Sequence, residues 1–139
     1  MLGAVSGYSH YVYSLPERHP QIQQLQLSLY TTGTTDGILK GEICFLNDIV
    51  LRVMEIVDFT AGVMETYSYT VKRGQEVLYW YDPQPHPENV ALASTFPHHK
   101  HIPPQIKRNR IPAPEISFEH PNLDFLVSEI ERELLSDEL

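Results

Sequence analysis

The chain has 139 residues, enough for one compact domain with a single core, and its lone cysteine, Cys44, excludes a disulfide framework and favours a reducing compartment. No run approaches the roughly 18 apolar residues of a membrane helix, and Met1 to Gly7 has neither the basic nor the apolar segment of a secretory leader, so a cytoplasmic protein is expected. The net charge of -8 argues against indiscriminate binding of polyanions, yet it is uneven: five Lys and Arg face ten acids from Met1 to Glu88, one Arg faces eight acids from Glu115 onward, and Asn89 to Pro114 holds four cations and no acid.

In chain order, Tyr8 to Leu15 is ambiguous between a short helix and a strand. Leu25, Leu27 and Leu29 then alternate with Gln24, Gln26 and Ser28, the mark of a strand with one buried face. A turn over Thr31 to Gly37 leads to a strand from Ile38 to Leu46, in which Cys44 reads as a small buried hydrophobe. Asn47-Asp48 makes a tight connection to a long strand from Ile49 to Phe59, and Ala61-Gly62 turns the chain into Val63 to Val71. Lys72 to Gln75 reads as a hairpin loop before the aromatic strand Glu76 to Asp82. About five sequential strands with short connections predict one antiparallel meander, hence an α+β fold.

Residues 83–120 change character. Eight prolines from Pro83 to Pro114 argue against any long regular element, and Lys100, Lys107, Arg108 and Arg110 make the stretch cationic. Past it, Pro121 suits a first helical position, and Leu123, Leu126, Val127, Ile130 and Leu134 form an apolar stripe opposite Asp124, Glu129, Glu131 and Glu133. A C-terminal amphipathic helix over residues 121–135 is expected, either packed on the sheet or lying over the cationic loop, with the tail from Ser136 frayed. The whole chain reads as a single domain.

Two features point to chemistry. The row Ile49, Leu51, Val53, Glu55, Val57, Phe59 is apolar except at Glu55. A buried carboxylate without a partner costs several kcal/mol, on the order of 2–7 kcal/mol for a polar group and more for a charge. Glu55 therefore sits at an exposed strand end or on a row that curls past the sheet edge, or else serves as a general base or orients a histidine, facing Tyr67 or Tyr69 across the ladder. The other feature is Phe96-Pro97-His98-His99-Lys100-His101, with His86 upstream. His99 and His101 point the same way from an extended segment and could ligate a metal with His86 or Glu55. Alternatively one imidazole removes a 2'-hydroxyl proton from RNA, another group protonates the leaving 5'-oxygen, and Lys100 or a nearby Arg stabilises the charged phosphorane. A solvated loop with incidental histidines is the third reading. The metal-free route ranks above the metal route because the cationic window holds no Asp or Glu and the chain no second thiol, so neither cofactor nor metal is expected. Tyr67, Tyr69, Tyr81, His98, Lys107, Arg108 and Arg110 are candidate substrate contacts.

From the second strand onward the chain resembles the TumE-like toxins of bacterial toxin–antitoxin pairs. The carriers are Gly37-Ile38-Leu39-Lys40-Gly41, Leu51-Arg52-Val53-Met54-Glu55, Tyr67-Ser68-Tyr69, Tyr79-Trp80-Tyr81-Asp82 followed by Pro85-His86, and above all Phe96 to His101. Tyr81, Asp82, His86, His99, Lys100 and His101 match the family pattern, while Trp80 stands where an Arg is expected and Lys107 to Arg110 lies outside the pattern. The resemblance implies a growth-inhibiting toxin with a cognate antitoxin, acting as an RNA-binding hydrolase of the ribonuclease type. A non-catalytic binding module for RNA or protein, and a metal-dependent nuclease, are the alternatives. A homodimer stays open.

Overall fold

The computed structural model describes residues 2–33 and 35–136; the tail beyond Ser136, expected to fray, lies outside them. Seven strands form one antiparallel sheet in which each pairs with its sequence neighbours: β1 (Gln24–Thr32), β2 (Asp36–Cys44), β3 (Ile49–Asp58), β4 (Val63–Arg73), β5 (Glu76–Asp82), β6 (His99–His101) and β7 (Arg110–Pro112). The meander is as expected from the alternation of apolar and polar residues, but it has seven strands rather than about five. β6 and β7 lie in the proline-rich stretch. Each is three residues long, too short to show a period, and the prolines flank β6 rather than interrupt it. Pro112 has no N–H to donate and sits in the edge strand, where none is needed.

The turns are tighter than the sequence suggests. β4 continues to Arg73, leaving Gly74-Gln75 as its connection to β5. Asn47 and Asp48 both adopt the left-handed conformation, φ 62° and 61°, which suits the short link from β2 to β3. Cys44 is only half-buried, because it points to the sheet's polar face, near the Gln26 amide oxygen.

Helices from both ends of the chain cover the other face. The ambiguous N-terminal segment is helical, α1 (Val5–Tyr13) and the single turn α2 (Leu15–Arg18) with Pro16 in its first turn. α3 (Leu123–Ile130) runs on into a wider π-helical turn over Glu131–Leu135. Pro121 precedes this helix rather than opening it, since Asn122 occupies the capping position. The helices press Tyr8, Val12, Leu15, Leu126, Val127 and Ile130 onto Leu39, Leu51, Val53, Val57, Tyr69 and Val71, all nearly inaccessible. Burying each such aliphatic side chain contributes roughly 1.5–3 kcal/mol, which holds the layers together. His19 ties the two ends, its Nε2 2.6 Å from Asp124 Oδ1 and its Nδ1 3.0 Å from Glu131 Oε1.

Gly41 lets β1 and β2 approach. Its φ is 143°, and a Cβ there would lie 2.0 Å from the Gln26 carbonyl oxygen, a backbone atom that cannot step aside. Gly41→Ala is therefore expected to destabilise the fold severely, measured as a large drop in the urea midpoint with loss of soluble expression, whereas Gly7→Ala, within α1 and with open space around it, is expected to hold the midpoint or raise it slightly.

Candidate active site

Strand alternation sends the candidate residues to opposite faces of the sheet. Across β3, β4, β5 and β6 the register places Glu55 beside Tyr67, Tyr69 beside Tyr81 and Tyr81 beside Lys100, all beneath the helices. On the polar face Trp80 stands opposite His101, Asp82 opposite His99, and His101 opposite Arg110. The segment Phe96 to His101 is thus one motif in sequence and two sites in space.

On the helix side, Glu55 is fully buried and partnered. The Tyr8 hydroxyl donates to Oε1 and the Tyr69 hydroxyl to Oε2 at 2.5 Å, while Asn122 Nδ2 donates to the Tyr69 oxygen at 3.1 Å. Burial pushes the Glu55 carboxyl up to about 7, against the opposing pull of the two tyrosine hydrogen bonds. The expectation that Glu55 faces Tyr69 holds, but the structure does not bring it to a histidine, and neither strand exposure nor sheet curl accounts for its place. Lys100 is likewise turned away from its histidine neighbours. Its Nζ lies 3.0 Å from Glu129 Oε2 and 4.2 Å from the centre of the Tyr79 ring, and Glu129 also accepts from the Tyr81 hydroxyl at 2.7 Å. The acidic C-terminal helix thus packs on the sheet and also takes the cationic segment's lysine. Tyr67, Tyr69 and Tyr81 are buried there, so their rings offer no open stacking surface.

His98 stands at the margin of this side. Its Nδ1 is 2.5 Å from the Tyr67 hydroxyl, and its ring faces a cleft of about 490 Å³ lined also by Thr95, Phe96, Ser117 and His120. Partial burial lowers its pKa, helped by the nearby His99 and His120.

The polar-face cluster is the densest arrangement of chemical groups. His99 Nδ1 lies 3.1 Å from the Pro97 carbonyl oxygen and His101 Nδ1 2.8 Å from that of Ile106. A carbonyl oxygen only accepts, so both Nδ1 atoms carry hydrogen and, in the neutral rings, both Nε2 atoms present lone pairs. Those Nε2 atoms are 3.1 Å apart, with Asp82 Oδ1 at 3.1 Å from His99 and Asp82 Oδ2 at 3.3 Å from His101. The Asp82 carboxylate is held by Trp80 Nε1–H at 2.9 Å and the Gln84 backbone N–H at 3.0 Å, and the Trp80 ring stacks on His101 at 4.1 Å. Burial, ahead of the opposing help from Ile106 and Asp82, lowers the His101 pKa. His86 packs edge-on against the His99 ring, centres 5.1 Å apart, and its buried Nε2 has no partner among the described residues; the same holds for Arg110 Nε. Lys107 and Arg108 lie exposed in the turn between β6 and β7.

Asp82 belongs to the Tyr79-Trp80-Tyr81-Asp82 motif, but the sequence reading does not include it among the candidate site residues. The signal was nonetheless in the sequence: Trp80-x-Asp82 and His99-x-His101 each repeat at the strand period of two, so pairing the strands would have put all four side chains on one face.

A helix-covered antiparallel meander with a buried His–Asp cluster at its edge defines a small α+β protein with the groups for proton transfer or metal ligation. The chain belongs to the TumE toxin family, whose pattern, described as Toxin TumE, matches residues 13–134. The match reaches further toward the N-terminus than the resemblance did, taking in β1 and α2. Neither the curated proteins nor the solved structures yield a match. Membership makes the chain a toxin of the toxin–antitoxin kind and implies a cognate antitoxin; among the described residues no helix is long and apolar enough to cross a membrane.

The Glu55 shift fixes a pH dependence. A carboxyl raised from 4.5 to about 7 in the folded state favours folding below pH 4.5 relative to higher pH, and this advantage is lost as pH rises through about 7. Across pH 5 to 8 the denaturant midpoint of the wild type is expected to fall more than that of Glu55→Gln, and parallel curves for the two proteins would count against the assignment.

Proposed function

We propose that this toxin is an endoribonuclease whose reacting groups are His86, His99 and His101 together with Asp82. The observation that carries the reading is the convergence of two imidazoles, His99 and His101, on one carboxylate, with a third, His86, packed against the His99 ring and its buried Nε2 unpartnered among the described residues, as is Arg110 Nε. RNA suits such a site because its 2'-hydroxyl is an internal nucleophile. One imidazole takes the 2'-hydroxyl proton, the 2'-oxygen bonds to phosphorus, and the 5'-oxygen leaves with a proton from a second group, giving a cyclic phosphate and a 5'-hydroxyl. In this reading Arg110 stabilises the charged phosphorane, and the exposed Lys107 and Arg108 hold the backbone.

This reading keeps His99, His101 and His86 in their catalytic roles, adds Asp82 and leaves out Glu55 and Lys100, which lie under the helices. Tyr67, Tyr69 and Tyr81 support the scaffold rather than contact substrate, while His98 borders the cleft beside Thr95. Asp82 reaches the histidines from β5, so a carboxylate stands among them although the cationic window itself holds none.

Incubating purified toxin with a mixed RNA substrate tests the reading. His101→Ala and His86→Ala are each expected to cut the cleavage rate by at least about 100-fold, in the range of lost acid–base catalysis, with circular dichroism unchanged. Lys100→Met is expected to keep most of the cleavage rate while lowering thermal stability, since it loses the Glu129 pair but not the polar-face cluster. Histidine variants that lose RNA binding, with no cleavage by the wild type, would instead identify a binding module. Undiminished cleavage by His101→Ala would remove the site from the mechanism.

A further inference from the structure

The Asp82–His99–His101 cluster has a property that proton transfer does not require. Four acceptor atoms, the two Nε2 and both Asp82 carboxylate oxygens, face one another with no donor between them once both imidazoles are neutral, an arrangement in which lone pairs repel. Each histidine is oriented from behind by a backbone carbonyl, and the carboxylate from behind by an indole N–H and a backbone N–H. Outer contacts of this kind fix the tautomer and the direction of metal-binding side chains.

The separations also fit an ion. Donors held about 2.0–2.1 Å from one centre lie about 2.9 Å apart along an octahedral edge and about 3.3 Å along a tetrahedral one. Here the two Nε2 atoms are 3.1 Å apart, and each has its own carboxylate oxygen of Asp82, Oδ1 at 3.1 Å from His99 and Oδ2 at 3.3 Å from His101. Two imidazole nitrogens and one carboxylate are the donor set of borderline transition metals, not of calcium or magnesium, which prefer oxygen throughout.

We propose that Asp82, His99 and His101 form a binding site for one divalent transition-metal ion of the zinc class. His99 and His101 bind it through Nε2 and Asp82 through its carboxylate, with the ring of Trp80 covering the His101 side. Three protein ligands leave a position for water or substrate, and the unpartnered His86 nitrogen beside His99 is available to accept a hydrogen bond from that water. With an ion bound, the His99 and His101 Nε2 lone pairs are engaged and cannot take a proton, so of the three histidines only His86 keeps a free nitrogen for the proton transfer proposed above.

The test is direct and uses no RNA. Full-length toxin is stripped with a chelator, freed of it, and titrated with zinc chloride at pH 7.5 by calorimetry. One equivalent is expected to bind, with at least about 100-fold weaker binding in Asp82→Asn and His101→Ala, since losing a ligand costs no less than losing an outer contact; His120→Ala, at the far cleft, is expected to bind as the wild type does. Zinc is also expected to raise the thermal midpoint of the wild type but not of Asp82→Asn, which keeps the result readable if one variant is only partly folded. Nitrogen-detected spectra of the wild type are expected to show both Nε2 atoms shifting with zinc while both Nδ1 atoms stay protonated. No binding, binding undiminished in Asp82→Asn, or Nε2 signals indifferent to zinc would each overturn the proposal. A protein that cleaves RNA without binding zinc refutes only this site; one that binds zinc and cleaves nothing refutes only the ribonuclease reading.

Discussion

Side chains on a strand alternate between two faces, and in this protein that rule divides the chemistry. His99-Lys100-His101 places its imidazoles beside Asp82 and its ammonium beneath the helices, so adjacent residues serve unrelated networks. One layer is a polar cluster at the sheet's edge. The other is an apolar interface that takes in Glu55, Lys100 and Glu129 with hydrogen-bonded partners. A shift of β6 by one residue would exchange the two and leave both unsatisfied, so the pairing of three short residues with β5 fixes the site.

Burying acids under the helices is costly, and the structure shows how the cost is limited. Glu55 has two tyrosine hydroxyls, one of them supported in turn by Asn122 from the start of α3. Glu129 has a lysine and a tyrosine hydroxyl. These contacts join β3, β4 and β6 to both terminal helices, and hydrogen-bonded buried groups fix the orientation of the helices more narrowly than apolar packing alone.

Much of the fold was legible because long strands repeat a two-residue period, as Leu25, Leu27 and Leu29 do, and because α3 carries an apolar stripe. β6 and β7 were not, since three residues contain too little pattern and prolines around them suggested irregular chain. The individual histidines were legible from their density. Their partner was not, because Asp82 lies seventeen residues before His99 and is joined to it only by strand pairing. Reading charge by windows of sequence separated an acid from the bases it meets in space, and the same error attached Glu55 and Lys100 to a site on the far side of the sheet.

Because every strand lies beside the one before it, most of the sheet forms from contacts close in sequence, and loop closure costs little at each step. Only the docking of α1 and α3 and the return of β6 across residues 83–98 require distant parts to meet. The hairpins from β1 to β5 can thus assemble as each leaves the ribosome, while the histidine cluster is complete only after β6 and the turn that supplies the Ile106 carbonyl have emerged. The scaffold can therefore form before the His99–His101 cluster is complete, since the last quarter of the chain supplies the carbonyl that orients His101.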